Sequence, residues 1–203
     1  MIMIEPCCFQ KQLIYFFKSF FGKDKPNFGY IGTNGDFVMA EFLRWMTVFL
    51  PMSEVTIVCK ELSDAVIREI HTLLNWNYYD HESRTNRRFM EKVNIITNGK
   101  DKERVKVLIE KNPGKVHYSI DKHSMNYITF RSKDDFYVFS GEFPIEKMDI
   151  AVKHTIQVQN NMMAYREIHE TLDSVMRTKE LFLVDGVLKR RRKVKVKKLR
   201  GER

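Results

Sequence analysis

No apolar run in the 203-residue sequence reaches the roughly 18 to 20 residues that a membrane-spanning helix requires, because Glu5, Gln10, Lys11, Gln12 and Lys18 interrupt the greasy stretch 1–21. No small-residue cleavage site follows a basic start, so the stretch does not read as a secretory signal. It fits an amphipathic helix over residues 9–21 that packs on its own domain or on a second subunit. Few cations accompany it, which disfavours a membrane surface. Cysteine is equally scarce. Cys7 and Cys8 are adjacent and Cys59 stands alone in an apolar run, so there is neither a disulfide framework nor a paired metal-binding spacing, and a reducing, cytoplasmic setting fits. A phosphate loop ending in Gly-Lys-Ser/Thr is missing, as are internal repeats.

Charge excess is missing too, over most of the chain. The formal net charge is +9, yet ten of the 35 Lys and Arg fall in residues 189–203 with one of the 26 acids, leaving 25 of each before them. Lys189, Arg190, Arg191, Arg192, Lys193, Lys195, Lys197, Lys198 and Arg200 make up nearly all of that cluster. A run this dense neutralises phosphates and releases counterions, which gives affinity without sequence preference. Nucleic acid, DNA or RNA, is therefore the expected partner of the tail. An acidic protein surface, anionic lipid and a targeting receptor are the alternatives.

What is present is alternation of helical and strand patterns. Residues 37–50 are apolar nearly all round apart from Glu41 and Arg44, which describes a buried helix that Asn34 or Asp36 caps and Pro51 ends. Residues 55–59 form an apolar strand, and Ser63 caps a helix to about Leu74 with Val66, Ile70, Leu73 and Leu74 on one face. Residues 75–88 read as a loop or loose helical insertion. A strand over 93–96, a helix over 101–111 and a strand from Val116 follow, so the pattern predicts a largely parallel sheet. Residues 127–130 and 136–139 flank a turn at 132–135 and make a hairpin extending that sheet, with His123 at its entrance. A strand over 155–158 precedes a helix capped by Asn160 or Asn161. Asp185-Gly186 then signals a type I′ hairpin. The divisions are an N-terminal helix and link (1–27), an α/β domain (28–188) and the basic tail (189–203).

This order of elements, with a histidine before a hairpin and Ser140-Gly141 after it, resembles one repeat of the phospholipase D-like superfamily over about residues 28–177. The resemblance implies a three-layer α/β/α fold with a mostly parallel sheet and an antiparallel hairpin. It also implies a histidine nucleophile, a lysine two residues later that holds phosphate oxygens, and a twofold dimer in which two copies of the signature meet. His123 stands at the nucleophile position, whereas Met125 replaces the lysine and Phe130 the aspartate. Ser140-Gly141-Glu142-Phe143 replaces the family's Gly-Ser-x-Asn segment. Phosphoryl transfer needs positive charge on the equatorial oxygens, and Met125 supplies none.

The expectation is therefore a non-catalytic phospholipase D-like protein that binds nucleic acid through its tail, with no cofactor and no metal. The alternative is a metal-independent phosphodiesterase or nuclease in which His123 attacks, Lys122, Arg131 or Lys133 replaces the missing cation, and Ser140 and Gly141 contact the phosphate. An assembly subunit without chemistry is the third reading. Three further patterns carry rival meanings. His117, Ser119, Asp121 and His123 alternate as metal ligands on one strand face would, although Asp121-Lys122 looks like a turn. Asn98-Gly99-Lys100 follows a strand's carboxyl end, where ligands gather in open α/β sheets. Arg84, Arg87 and Arg88, with His81 and Phe89, could approach a nucleic-acid backbone or simply be solvated.

Overall fold

A computed structural model describes residues 3–4, 28–33, 39–81, 84–122, 126–132, 135–141, 154–160 and 162–190. The elements in chain order are β1 (Met3–Ile4), β2 (Phe28–Thr33), α1 (Met39–Phe49), β3 (Ser53–Val58), α2 (Asp64–Asn75), β4 (Asn77–Asp80), β5 (Thr85–Arg88) and β6 (Met90–Thr97). They continue as α3 (Lys102–Lys111), β7 (Val116–Ile120), β8 (Asn126–Arg131), β9 (Phe136–Gly141), β10 (His154–Asn160), α4 (Met162–Lys179), β11 (Glu180–Val184) and β12 (Val187–Arg190). Ten strands form one sheet in the order β1-β2-β10-β9-β8-β3-β6-β7-β11-β12, and β4-β5 form a separate ribbon. The amphipathic stretch 9–21, the capping residues Asn34, Asp36 and Asn161, and the tail beyond Arg190 lie outside the described residues.

The apolar runs make the middle of the sheet. β3, β6 and β7 are parallel, with Val55, Val93 and Val116 in one row and Ile57, Ile95 and Tyr118 in the next. The expected parallel sheet is confined to these strands and the short β1-β2 pair; the six other junctions of the large sheet are antiparallel. Strand-helix alternation predicts parallel neighbours only where a helix crosses over, and the hairpins on both flanks have none. The β8-β9 hairpin extends the sheet as expected, but through β3 rather than through β7, which precedes it in the chain.

Side-chain parity then sorts the layers. Val55, Ile57, Val93, Ile95, Ile128, Phe130 and Phe139 face α1, α2 and α3, which bury Phe42, Leu43, Met46, Ile70, Leu73 and Leu108 against them. Phe42 meets Phe130 and Phe139 edge-on, at 5.9 and 4.9 Å between centroids, and so seats α1 over the hairpin. Each such side chain contributes about 2 to 3 kcal/mol on burial. Arg44 clamps α1 to α2 through a bidentate pair with the buried Glu69, at 2.8 and 2.6 Å. Val58 and Ile96 face the other way, onto Leu172, Ile168, Val175 and Met176 of α4. The result is the expected three-layer α/β/α arrangement. Among the described residues no helix is long and apolar enough to cross a membrane.

One local expectation is corrected. Residues 75–88 contain the β4-β5 ribbon rather than a loop or helix, held by the Trp76, Phe89 and Tyr78 rings at 5.3 and 5.1 Å and by an Arg87–Asp80 pair at 2.8 Å. At the start of the α/β domain β2 runs from Phe28 to Thr33, because β10 offers it a full antiparallel register. The basic tail begins inside a strand, as the hairpin signal at Asp185-Gly186 implies: Lys189 and Arg190 pair with Phe182 and Leu181. The Asp185-Gly186 turn that makes this possible has φ of 51° and 70°, as a type I′ turn requires.

Candidate functional site

Strand directions place each sequence-predicted residue at one end of the sheet or the other. Val58, Thr97 and Ile120 mark the carboxyl ends of the parallel strands. Tyr127 pairs with Val58, and Ser140 with Tyr127, so Ser140, Gly141 and Lys122 share that end. Arg131 pairs with Glu54 at the opposite end. It stands four residues down β8 from Tyr127, about 14 Å along the strand. Arg131 therefore does not stand beside Lys122 and Ser140. Lys122 is exposed, and its backbone N–H donates to the Asp121 carboxylate at 2.9 Å, an acid that also pairs with Lys179. His123, Met125 and Lys133 lie outside the described residues.

β11 is antiparallel to β7 and β12 to β11, so β12 runs in the direction of β7, toward the end that holds Lys122, and its last residue, Arg190, lies level with Tyr118, with both cations exposed.

Two other sequence candidates turn out to be structural. Asn98 accepts from the Lys100 N–H at 3.2 Å, and the Gly99 N–H donates to Thr97 Oγ1 at 3.2 Å. Gly99 sits at φ 94°, and a Cβ there would lie 3.1 Å from Ile120, so this triplet is a committed turn. Behind it Asp101 is fully buried and accepts from the Leu62 N–H at 2.9 Å, Thr97 Oγ1 at 2.6 Å and the Tyr118 hydroxyl at 2.9 Å. Burial, reinforced by this carboxylate, pushes the Tyr118 hydroxyl pKa well up. Two described members of the alternating set are engaged within the fold: His117 Nδ1 is bonded to Glu180 at 2.6 Å and Asp121 pairs with Lys179, and among the described residues no three His, Cys, Asp or Glu converge.

The face under α4 is where unassigned polar groups gather. Glu54 and Thr56 of β3, Lys92 and Asn94 of β6, His117 and Ser119 of β7 and Thr129 of β8 share the parity that turns toward this helix. Asn94 Nδ2 donates to Glu54 at 3.0 Å and to Thr56 at 3.1 Å, and Lys92 lies 3.3 Å from Glu54. Burial raises the Glu54 pKa, but the Asn94 hydrogen bond and the Lys92 charge outweigh it and hold the carboxyl below its usual range. His169 reaches down from α4 to Thr129 at 2.9 Å and stacks on Tyr165 at 4.0 Å. Beside this network a cleft of about 260 Å³ opens between α4 and the sheet, lined by Lys92, Asn94, His117, Asp173, Arg177 and Glu180 with Met176 at its apolar side. Sequence reading missed it, although Lys92/Asn94 and His117/Ser119 already showed polar residues at every second position of otherwise apolar strands.

Burial pushes the His169 imidazole pKa down, against the pull of Asp173 and Glu54. Above the unfolded value of about 6.5 the ring is neutral in both states; below it the unfolded chain takes the proton first. Stability is therefore full at neutral pH and falls as the medium is acidified through that value. The loss saturates once the folded ring is also protonated. Melts at pH 7.5 and 5.5 are expected to show a larger drop for the parent chain than for His169→Gln; equal drops would rule this out.

No family model matches the chain, and no curated protein matches it. Among solved structures it is similar to TrmBL2, an archaeal chromatin protein whose structure "shows a novel mode of DNA binding", at 8% identity and a TM-score of 0.41. The likeness covers 81% of this chain and 58% of that one, so the chain spans less than two thirds of that protein.

Proposed function

We propose that the chain is a non-catalytic α/β domain of phospholipase D-like descent that holds nucleic acid through its basic C-terminal segment. The observation that carries this reading is the segregation of charge: a body with equal acids and bases, and a strand, β12, that delivers Lys189 and Arg190 to solvent where the remaining cations begin. The order of elements and the β8-β9 hairpin support the descent. The loss of catalysis is supported by Met125 in place of the lysine, by Arg131 at the far end of its strand and by Asp121 beside Lys122.

Fluorescence anisotropy with labelled DNA and RNA tests the binding. With about five cations on phosphates, log K falls with log salt at a slope of about −4 to −5 and with little sequence preference. Retention that ignores salt would overturn the reading. The enzyme alternative makes its own prediction. Hydrolysis of a generic phosphodiester with EDTA present is expected at background level for the chain and for His123→Ala alike, and turnover lost only in the variant would establish His123 as a nucleophile.

A further inference from the structure

We propose that the cleft under α4 binds a small zwitterion, of which a free α-amino acid is the simplest kind. Two of its charged groups are already satisfied within the fold: Lys92 by Glu54 and Glu180 by His117. Asp173 and Arg177 also line it, and neither belongs to an ion pair among the described residues. They stand four residues apart on one face of α4, which sets their Cβ atoms about 6 Å apart. That spacing suits an ammonium beside the carboxylate and a ligand carboxylate on the guanidinium fork.

The balance of charge excludes simpler ligands. Lys92 and Arg177 face Asp173 and Glu180, two cations against two acids, so neither a plain anion nor a plain cation gains from the net field. A dipolar molecule gains at both ends. Asn94 spends its N–H groups on Glu54 and Thr56, which leaves its amide oxygen for a donor, and His117 commits Nδ1 to Glu180, which leaves Nε2. Ser119 Oγ, two residues from His117 on the same strand face, is buried with no hydrogen-bond partner among the described residues. A volume of about 260 Å³ is below that of sites for drug-sized ligands, which fits a molecule of few heavy atoms.

Isothermal titration and melting curves of the full chain with the standard amino acids at millimolar concentration test this. A subset is expected to bind and raise Tm, and the N-acetyl and amide derivatives of the best binder are expected to bind at least about tenfold more weakly. Asp173→Asn should abolish the preference for the free amine, and Arg177→Gln should remove binding of all forms. Both side chains reach solvent, and circular dichroism reports that each variant is folded. No response to any amino acid, equal binding of capped and free forms, or a response to neutral polyols alone would overturn the proposal.

Discussion

A chain ending at Arg190 is expected to lose at least about 100-fold in affinity for nucleic acid at low salt, with its salt slope flattened to about −2 or shallower. The cut removes eight cations and leaves Lys189 and Arg190, so at most two phosphates remain neutralised. For the full chain, a slope near −4.5 means that a fourfold rise in salt weakens binding by about 500-fold. Ending the chain at Arg190 keeps β12 whole and leaves the buried Leu188 in place, so the domain keeps its fold while its charge excess falls from +9 to +2. Unchanged affinity in the shortened chain would move the interface onto the neutral body, where Arg84 and Arg88 on the β4-β5 ribbon would be the next residues to alter.

Replacing Asp101 by alanine is expected to cost about 3 to 5 kcal/mol, a large share of the 5 to 15 kcal/mol that holds a typical domain. Its carboxylate is the common acceptor for three donors from separate segments: the loop before α2, the end of β6 and the middle of β7. Alanine leaves the Leu62 N–H and the Thr97 and Tyr118 hydroxyls buried around an empty space. Asparagine keeps the shape but turns one acceptor into a donor, and about 2 to 3 kcal/mol is expected for that change. Pairing Asp101→Asn with Tyr118→Phe should cost less than the two changes summed, because they share one network. Urea midpoints read all of these. A cost below about 0.5 kcal/mol for the alanine variant would show that these bonds contribute little net stability.

Local signals in the sequence were read well where they decide local structure. Ser63 caps α2, with Oγ accepting from the Val66 N–H at 3.3 Å, and Asp185-Gly186 turns the last hairpin. The apolar strands, the β8-β9 hairpin and the inward faces of α2 and α4 follow from period and parity alone. Long-range choices were not legible. β2 pairs with β10 across well over a hundred residues, and no residue in either strand names its partner. His117 meets Glu180 from 63 positions away, so the sequence shows an alternating histidine and the structure shows an oriented one. The ribbon at residues 77–88 escaped because its apolar rings, Trp76 and Phe89, lie just outside its strands. Asp101 read as a helix start, but it turns inward instead of capping α3.

β12 is also one of the two edge strands of a ten-strand sheet, and beyond it the described chain offers no further partner. A row of outward backbone N–H and C=O groups is a template on which a strand of another molecule can add. Here the edge is four residues long and ends in two exposed cations, followed by eight more in the remaining chain. Two such edges repel each other at low salt, so the charge that holds a polyanion also keeps molecules from stacking edge to edge. A bound polyanion would neutralise that repulsion and bring several edges close together, which makes the colloidal behaviour of the protein depend on its partner's length as well as on its own concentration.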